Sequence, residues 1–295
     1  MVDGPTGSTV PRRQLGRYLR ELRGGARLTV KAAARALEWS EAKMWRIETG
    51  QTSLRSHDVE AMCNVYGAAP DFTEALMGLA KETKARGWWH AYGDAIPEGF
   101  DLFIGLEEAA SEVDWYESEL IPGLLQTEDY ARTIIQRGKP DEDAEEVDRR
   151  VDLRIARQVL LTRTTAPVRL KVVVNEAVLR RRVGGNKVMA KQLRHLLDVG
   201  SLPNVTVRVV PFSAGLHLGV MAGPFQVLRF PTNRDGSASE PDTVYADGYT
   251  GDLYLDKPAE VESYDAAFVD IWNNASDDQA SQSLISEVAG SYEQG

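Results

Sequence analysis

Glu41, Lys43 and Arg46 place one carboxylate acceptor and two cationic donors within six residues, with small Ala42 and the indole of Trp45 between them. A carboxylate accepts from cytosine N4, an ammonium donates to guanine O6 or N7, and a guanidinium reaches either a base or a phosphate. Such a set reads base-pair edges only when a helix presents it on its first two turns, because the major groove admits a single α-helix. Ser40, just ahead, offers its side-chain oxygen to the free N–H groups of a helix start.

The elements that position this set follow from periodicity. Val30, Ala33, Ala34 and Leu37 recur at i, i+3, i+4 and i+7, which predicts a short helix with a small apolar face, capped by Thr29. After a tight turn, Met44 and Ile47 are the strongly apolar residues of a second helix, so Glu41, Ala42, Lys43, Trp45 and Arg46 face outward. Thr29 and Lys31 at the entry to the first helix, Ser40, and Arg55 beyond the second as a phosphate clamp join the expected DNA-contacting set. For Trp45 two readings stand: packing against the protein's own surface, or contact with the sugar-phosphate wall or a thymine methyl.

Leu28-Thr29 before the first helix, the alanines in its middle, Ser40 at the cap and the closing Arg46-Ile47-Glu48-Thr49-Gly50 resemble the Xre/Cro group of lambda-repressor-like regulators. The resemblance implies an all-α head and a structural pair between Arg23 and Glu48 that reads no base. Two residues depart from the pattern. Glu38 stands where such turns usually carry Gly, and a non-Gly residue at positive φ costs on the order of 1 kcal/mol; Val30 stands where the group often has a Gln that touches DNA.

Upstream, Arg12, Arg13, Arg17, Arg20, Arg23 and Arg27 punctuate a helix whose inward side is Leu15, Tyr18, Leu19 and Leu22. These arginines read as a solvated face with stems over the core, or as one or two phosphate contacts. Downstream, Ser56 is expected to cap a helix that buries Val59, Met62, Cys63 and Tyr66, with Cys63 as core filling.

The chain has 295 residues and a net charge of −10, unevenly distributed. Residues 1–67 carry eleven Lys/Arg against seven Asp/Glu, or +4, and the remainder carries −14. A basic head on an acidic body fits a DNA module joined to a different kind of module. One cysteine excludes a disulfide framework, no run is long enough to span a membrane, and the amino end lacks the apolar stretch of a signal peptide. A cytoplasmic protein is expected. The expected plan is a disordered segment 1–11, a helix-turn-helix head 12–68, a helical linker and aromatic junction 69–98, and an α+β body 99–295 with a largely antiparallel sheet.

Within the body, Val113–Glu117, Arg169–Val174, Val205–Val210, Phe225–Phe230, Thr243–Ala246 and Asp252–Leu255 are expected strands, and Asp143–Leu161 one long helix with a seam of Val147, Val151, Ile155 and Val159. That seam suits packing on the sheet or on a second subunit. Pro122-Gly123-Leu124-Leu125-Gln126-Thr127, followed by Tyr130-Ala131, reads as a turn and then a helix capped by Thr127. It also resembles the signature of a domain of unknown function that follows Xre-type heads in actinobacterial WhiJ-like and antitoxin-like regulators. The glycine-rich stretch 213–223 is either a ligand lid or a hairpin connection, and Trp88, Trp89 and His217 are the candidate ligand or partner residues.

Nothing in the sequence points to catalysis. Gly-x-Ser-x-Gly, Cys-x-x-Cys, His-Glu-x-x-His and the dinucleotide fingerprint are missing, and His57, His90, His195 and His217 are scattered. No metal site and no cofactor is expected. The expected partners are double-stranded DNA and a second copy of the chain; the resemblance further implies a small protein encoded nearby, bound by the body or sequestered by it.

Overall fold

The computed structural model describes residues 9–83, 88, 91, 92, 96, 100–232, 238–249 and 251–294. The chain divides into two compact units, with a boundary between Ala109 and Ala110.

The first unit is helical: α1 (Thr9–Gly25), α2 (Val30–Ala36), α3 (Glu41–Glu48), α4 (Ser56–Tyr66), α5 (Pro70–Glu82) and α6 (Phe100–Ala109). Leu15 and Leu19 of α1, Ala33 and Ala34 of α2, Met44 and Ile47 of α3, Val59, Met62 and Cys63 of α4, and Leu76 and Ala80 of α5 share one core. A Cβ on Gly16 would stand 2.5 Å from the Ile47 carbonyl oxygen, so α1 and α3 meet nearly backbone to backbone. Three expectations change here. Helix α1 begins at Thr9, inside the stretch expected to be disordered; Thr9 is buried, accepts from Arg12, and lies where a Cβ on Gly105 of α6 would collide with it. Pro11 is tolerated because the first-turn N–H groups have no intrahelical acceptor anyway. Residues 1–8 lie outside the described residues. Helix α6, expected to open the body, belongs to the first unit, and Ser56 is the first helical residue of α4, not its cap; its hydroxyl donates to the Met77 carbonyl at 3.3 Å.

The second unit runs β1 (Glu112–Glu117), α7 (Glu128–Gly138), α8 (Ala144–Ala156), α9 (Val159–Thr162), β2 (Arg169–Asn175), α10 (Glu176–Arg180), α11 (Asn186–Val199), β3 (Val205–Val210), α12 (Leu218–Ala222), β4 (Phe225–Arg229), β5 (Thr243–Ala246), β6 (Leu253–Leu255), α13 (Pro258–Asn274) and α14 (Asp278–Gln294). The strands form one sheet in the order β3-β2-β1-β4-β5-β6. The pairs β1/β4, β4/β5 and β5/β6 are antiparallel, while β1/β2 and β2/β3 are parallel. The sheet is therefore mixed and mostly antiparallel, in an α+β unit. Its parallel half exists because α7 to α9 and α10 to α11 supply the crossovers that parallel neighbours need. Tyr116, Val173, Phe225, Val227 and Val244 on one face pack with Val261, Phe268 and Ile271 of α13.

Two further expectations are corrected in this unit. The helix expected over 143–161 ends at Ala156 and α9 follows; Val147, Val151 and Ile155 pack with Ile135 of α7, while Val159 is exposed. The stretch 213–223 is no hairpin, because β3 lies at the sheet edge and β4 beside β1. It holds a short 3-10 turn, Phe212–Ala214, and α12.

Candidate nucleic-acid interface

Both short helices of the head start at a side-chain cap. Thr29 Oγ1 accepts from the Ala32 N–H and Ser40 Oγ from the Lys43 N–H, each at 3.1 Å. Between them the turn is closed by the Trp39 N–H donating to the Ala34 carbonyl at 2.8 Å, with Glu38 at φ 55°. The positive φ that makes Gly usual in such a turn is thus present, borne by a residue with a Cβ. Gly50, by contrast, is demanded twice: its φ is 74°, and a Cβ there would stand 2.8 Å from the Arg13 Cα.

Only Met44, Ile47 and Glu48 of α3 are buried, and the rest of the helix faces solvent or is half-buried. Glu48 is held inside by Arg23, whose Nε and Nη2 donate to its two carboxylate oxygens at 2.6 and 2.7 Å. The third arm of the fork, Nη1, reaches the Leu28 carbonyl at 2.8 Å, so one guanidinium ties α1, the start of α2 and the end of α3 together. The bond to Glu48 raises the Arg23 pKa further. Arg12 and Arg13 are also buried, which replaces the solvated-face reading for those two; Arg12 lies 3.5 Å from Asp101 of α6. Cys63 is fully buried, and burial pushes its thiol pKa up, away from reactivity.

The structure places Thr29, Lys31, Ser40, Glu41, Ala42, Trp45, Arg46 and Arg55 at exposed positions of the head. Trp45 is 56% exposed, so its indole is not part of the core. Lys43 is half-buried, with its ammonium 3.4 Å from the Trp39 ring centre. Moving it to a guanine edge forfeits this cation–π contact, worth about 0.5–1 kcal/mol at an exposed site.

In the body, the Pro122–Ala131 motif is structural. Gln126 Nε2 donates to the Ile121 carbonyl at 2.6 Å, its Oε1 accepts from Arg154 at 3.0 Å, and its own carbonyl accepts from Gln158 at 2.6 Å. The Tyr130 hydroxyl accepts from the Ile121 N–H at 3.1 Å, and burial pushes its pKa up to about 12. Thr127 occupies the cap position of α7, yet its hydroxyl and N–H both turn to Gln192 Oε1. Gln192, fully buried on α11, is a partner that spacing along the chain had no means to reveal.

Of the expected ligand residues, Trp88 belongs to the first unit and His217 to the second. Trp88 is half-buried and meets Tyr92 edge to face at 6.0 Å, and Trp89 lies outside the described residues. His217 is buried; its Nδ1 accepts from the Gly219 N–H at 3.2 Å and its ring stands edge-on to Tyr116. It is a helix cap rather than a residue displayed to a ligand. Two groups that the sequence reading passed over are Glu117, hydrogen-bonded by Trp115 Nε1 at 3.2 Å, and Asp114, bonded by Arg229 at 2.8 Å. The available signal was an acid inside an apolar strand. Among the described residues no cluster of three His, Cys, Asp or Glu is placed to hold a metal, and no helix is long and apolar enough to cross a membrane.

Comparison with known families finds two matches, the second of which takes in α6. Residues 14–76 match the helix-turn-helix domain family, a kind of domain carried by DNA-binding regulators, and residues 100–287 match a domain of unknown function, DUF5753. No curated protein and no solved structure matches the chain. With that second match extending over more than half of its length, the chain belongs to the DUF5753 family and bears a helix-turn-helix domain at its amino end.

Proposed function

We propose that the protein is a dimeric, sequence-specific DNA-binding transcriptional regulator of the Xre/Cro type, with α3 as the helix that enters the major groove and the DUF5753 body as a sensing or partner-binding module. The observation that carries this reading is the division of labour along α3. Its inward residues are locked by the core and by the Arg23 fork, while Glu41, Ala42, Trp45 and Arg46 stand exposed directly behind a capped start. A rigid helix with an exposed hydrogen-bonding face on its first two turns is what groove reading requires. Lys31 and Arg55 flank that face and supply phosphate contacts, with the backbone N–H groups near Thr29 and Ser40.

The test is footprinting of the DNA upstream of the protein's own gene, with wild type and with Lys43→Ala combined with Arg46→Ala. A base contact from either cation is worth about 1–3 kcal/mol of discrimination, so the double variant loses at least about fivefold in preference for its site. Wild-type affinity falls steeply with salt as phosphate contacts release counterions. Undiminished sequence preference in the double variant refutes the assignment of α3.

A further inference from the structure

The body carries an apolar surface that its own fold leaves uncovered. Phe212, Leu216, Leu218, Val220, Met221 and, on α13, Val269 are each between 45% and 75% exposed. This is not a slack loop. The Phe212 N–H donates to Glu176 Oε2 at 2.8 Å, and the Leu218 N–H donates to Asp270 Oδ2 of α13 at 2.7 Å, beside Val269. Gly219 lets α12 press onto the sheet, since a Cβ there would stand 2.6 Å from the Tyr116 ring. The inward positions are small or capped (Ala214, His217, Gly219, Ala222), and the large apolar side chains point outward, the reverse of what burial in a solitary domain favours.

We propose that this face, Phe212 to Met221 with Val269, is where a second copy of the chain docks in a two-fold pair. At roughly 100 Å² apiece the six side chains offer about 600 Å² per copy, the upper end of what a monomer leaves exposed, and about 1,200 Å² in a pair, where specific interfaces begin. Residues 212–221 include no Asp, Glu, Lys or Arg, and the two carboxylates that border them, Glu176 and Asp270, already accept from the Phe212 and Leu218 N–H groups, which limits like-charge repulsion between two copies of a chain of charge −10 at this face. The lack of basic residues also disfavours an anionic membrane as the occupant. A two-fold contact needs one self-complementary patch, which a short helix with large apolar residues on its outer side supplies. This inference deepens the regulator reading by naming its dimer surface, and its test involves no DNA, so either one fails separately.

The experiment is sedimentation equilibrium of the full chain at micromolar concentrations. Wild type is expected at twice the 32.6 kDa chain mass, and Met221→Asp and Leu216→Asp are each expected to weaken the pair by at least a hundredfold. Both side chains are exposed, so the variants keep the fold, which circular dichroism verifies. The native cysteine is buried, so Met221→Cys treated with a short bis-maleimide reports proximity directly: a covalent dimer supports the proposal, with Tyr249→Cys as the exposed control that stays uncoupled. A monomeric wild type, which would leave the patch to a different protein or an apolar ligand, overturns the proposal. So does a dimer whose mass neither Asp variant changes.

Discussion

Replacing Glu117 with Gln is expected to stabilise the body at neutral and alkaline pH and to do almost nothing in acid. Glu117 ends β1, accepts from Trp115 Nε1, and faces Asp247 and Glu119 rather than a cation. Burial, reinforced by those two charges, pushes its carboxyl from 4.5 up to about 7, against the opposing pull of the Trp115 bond. The folded value lies above the unfolded one, so the contribution is fully present below about pH 4.5 and is lost as pH rises through 7. The interval corresponds to about 3 kcal/mol, and partial solvent access trims it to about 2–3 kcal/mol. Gln has the shape of the protonated acid and keeps an oxygen for Trp115. It also removes a repulsive neighbour from Asp247, whose own carboxyl is raised chiefly by burial and then by Asp252. Urea titrations followed by hydrogen exchange in β1 peptides isolate the body from the head. The expected result is coincident curves near pH 4 and a variant more stable by about 2–3 kcal/mol near pH 8. Equal stability at the higher pH, or a less stable variant, refutes the reasoning.

Two further predictions concern the head. Glu38→Gly removes a Cβ from a backbone at φ 55° and should raise head stability by about 0.5–1 kcal/mol after the greater freedom of unfolded Gly is offset; hydrogen exchange in α2 and α3 reads it, and a loss would show that the turn is not strained. Arg23→Ala, Glu48→Ala and the double variant should give a coupling of about 2 kcal/mol in the same measurement. Additive single effects would mean that the fork contributes no pairwise stability.

Local rules were enough for much of the head. The apolar spacing of α2 and α3 and their Thr29 and Ser40 caps are consequences of neighbours within a few residues, whereas Gly50 is required both by its local positive φ and by the approach of Arg13 from α1. Strand and helix positions in the body were readable for the same reason. The helix expected through Leu161 was not: its apolar spacing continued past Ala156, but Leu160 and Leu161 are buried while Val159 is exposed, so the chain turns to satisfy a different surface. The start of α1 was misplaced because its stability comes from α6, some ninety residues away, against which Thr9 packs.

Sequence alone, then, determined the elements, the amphipathic faces and the outward set on α3, because hydrogen bonding and hydrophobic periodicity within a helix or strand are local. Tertiary structure alone decided which polar groups meet. Gln192 reaches Thr127 across 65 positions, and Arg229 reaches Asp114 across 115. It likewise decided that β1, β2 and β3 run parallel, that His217 turns inward, and that Leu216 and Met221 are left outside. The physical reason is that burial is shared out among surfaces brought together by the fold, and no spacing along a chain records which surface a residue will find.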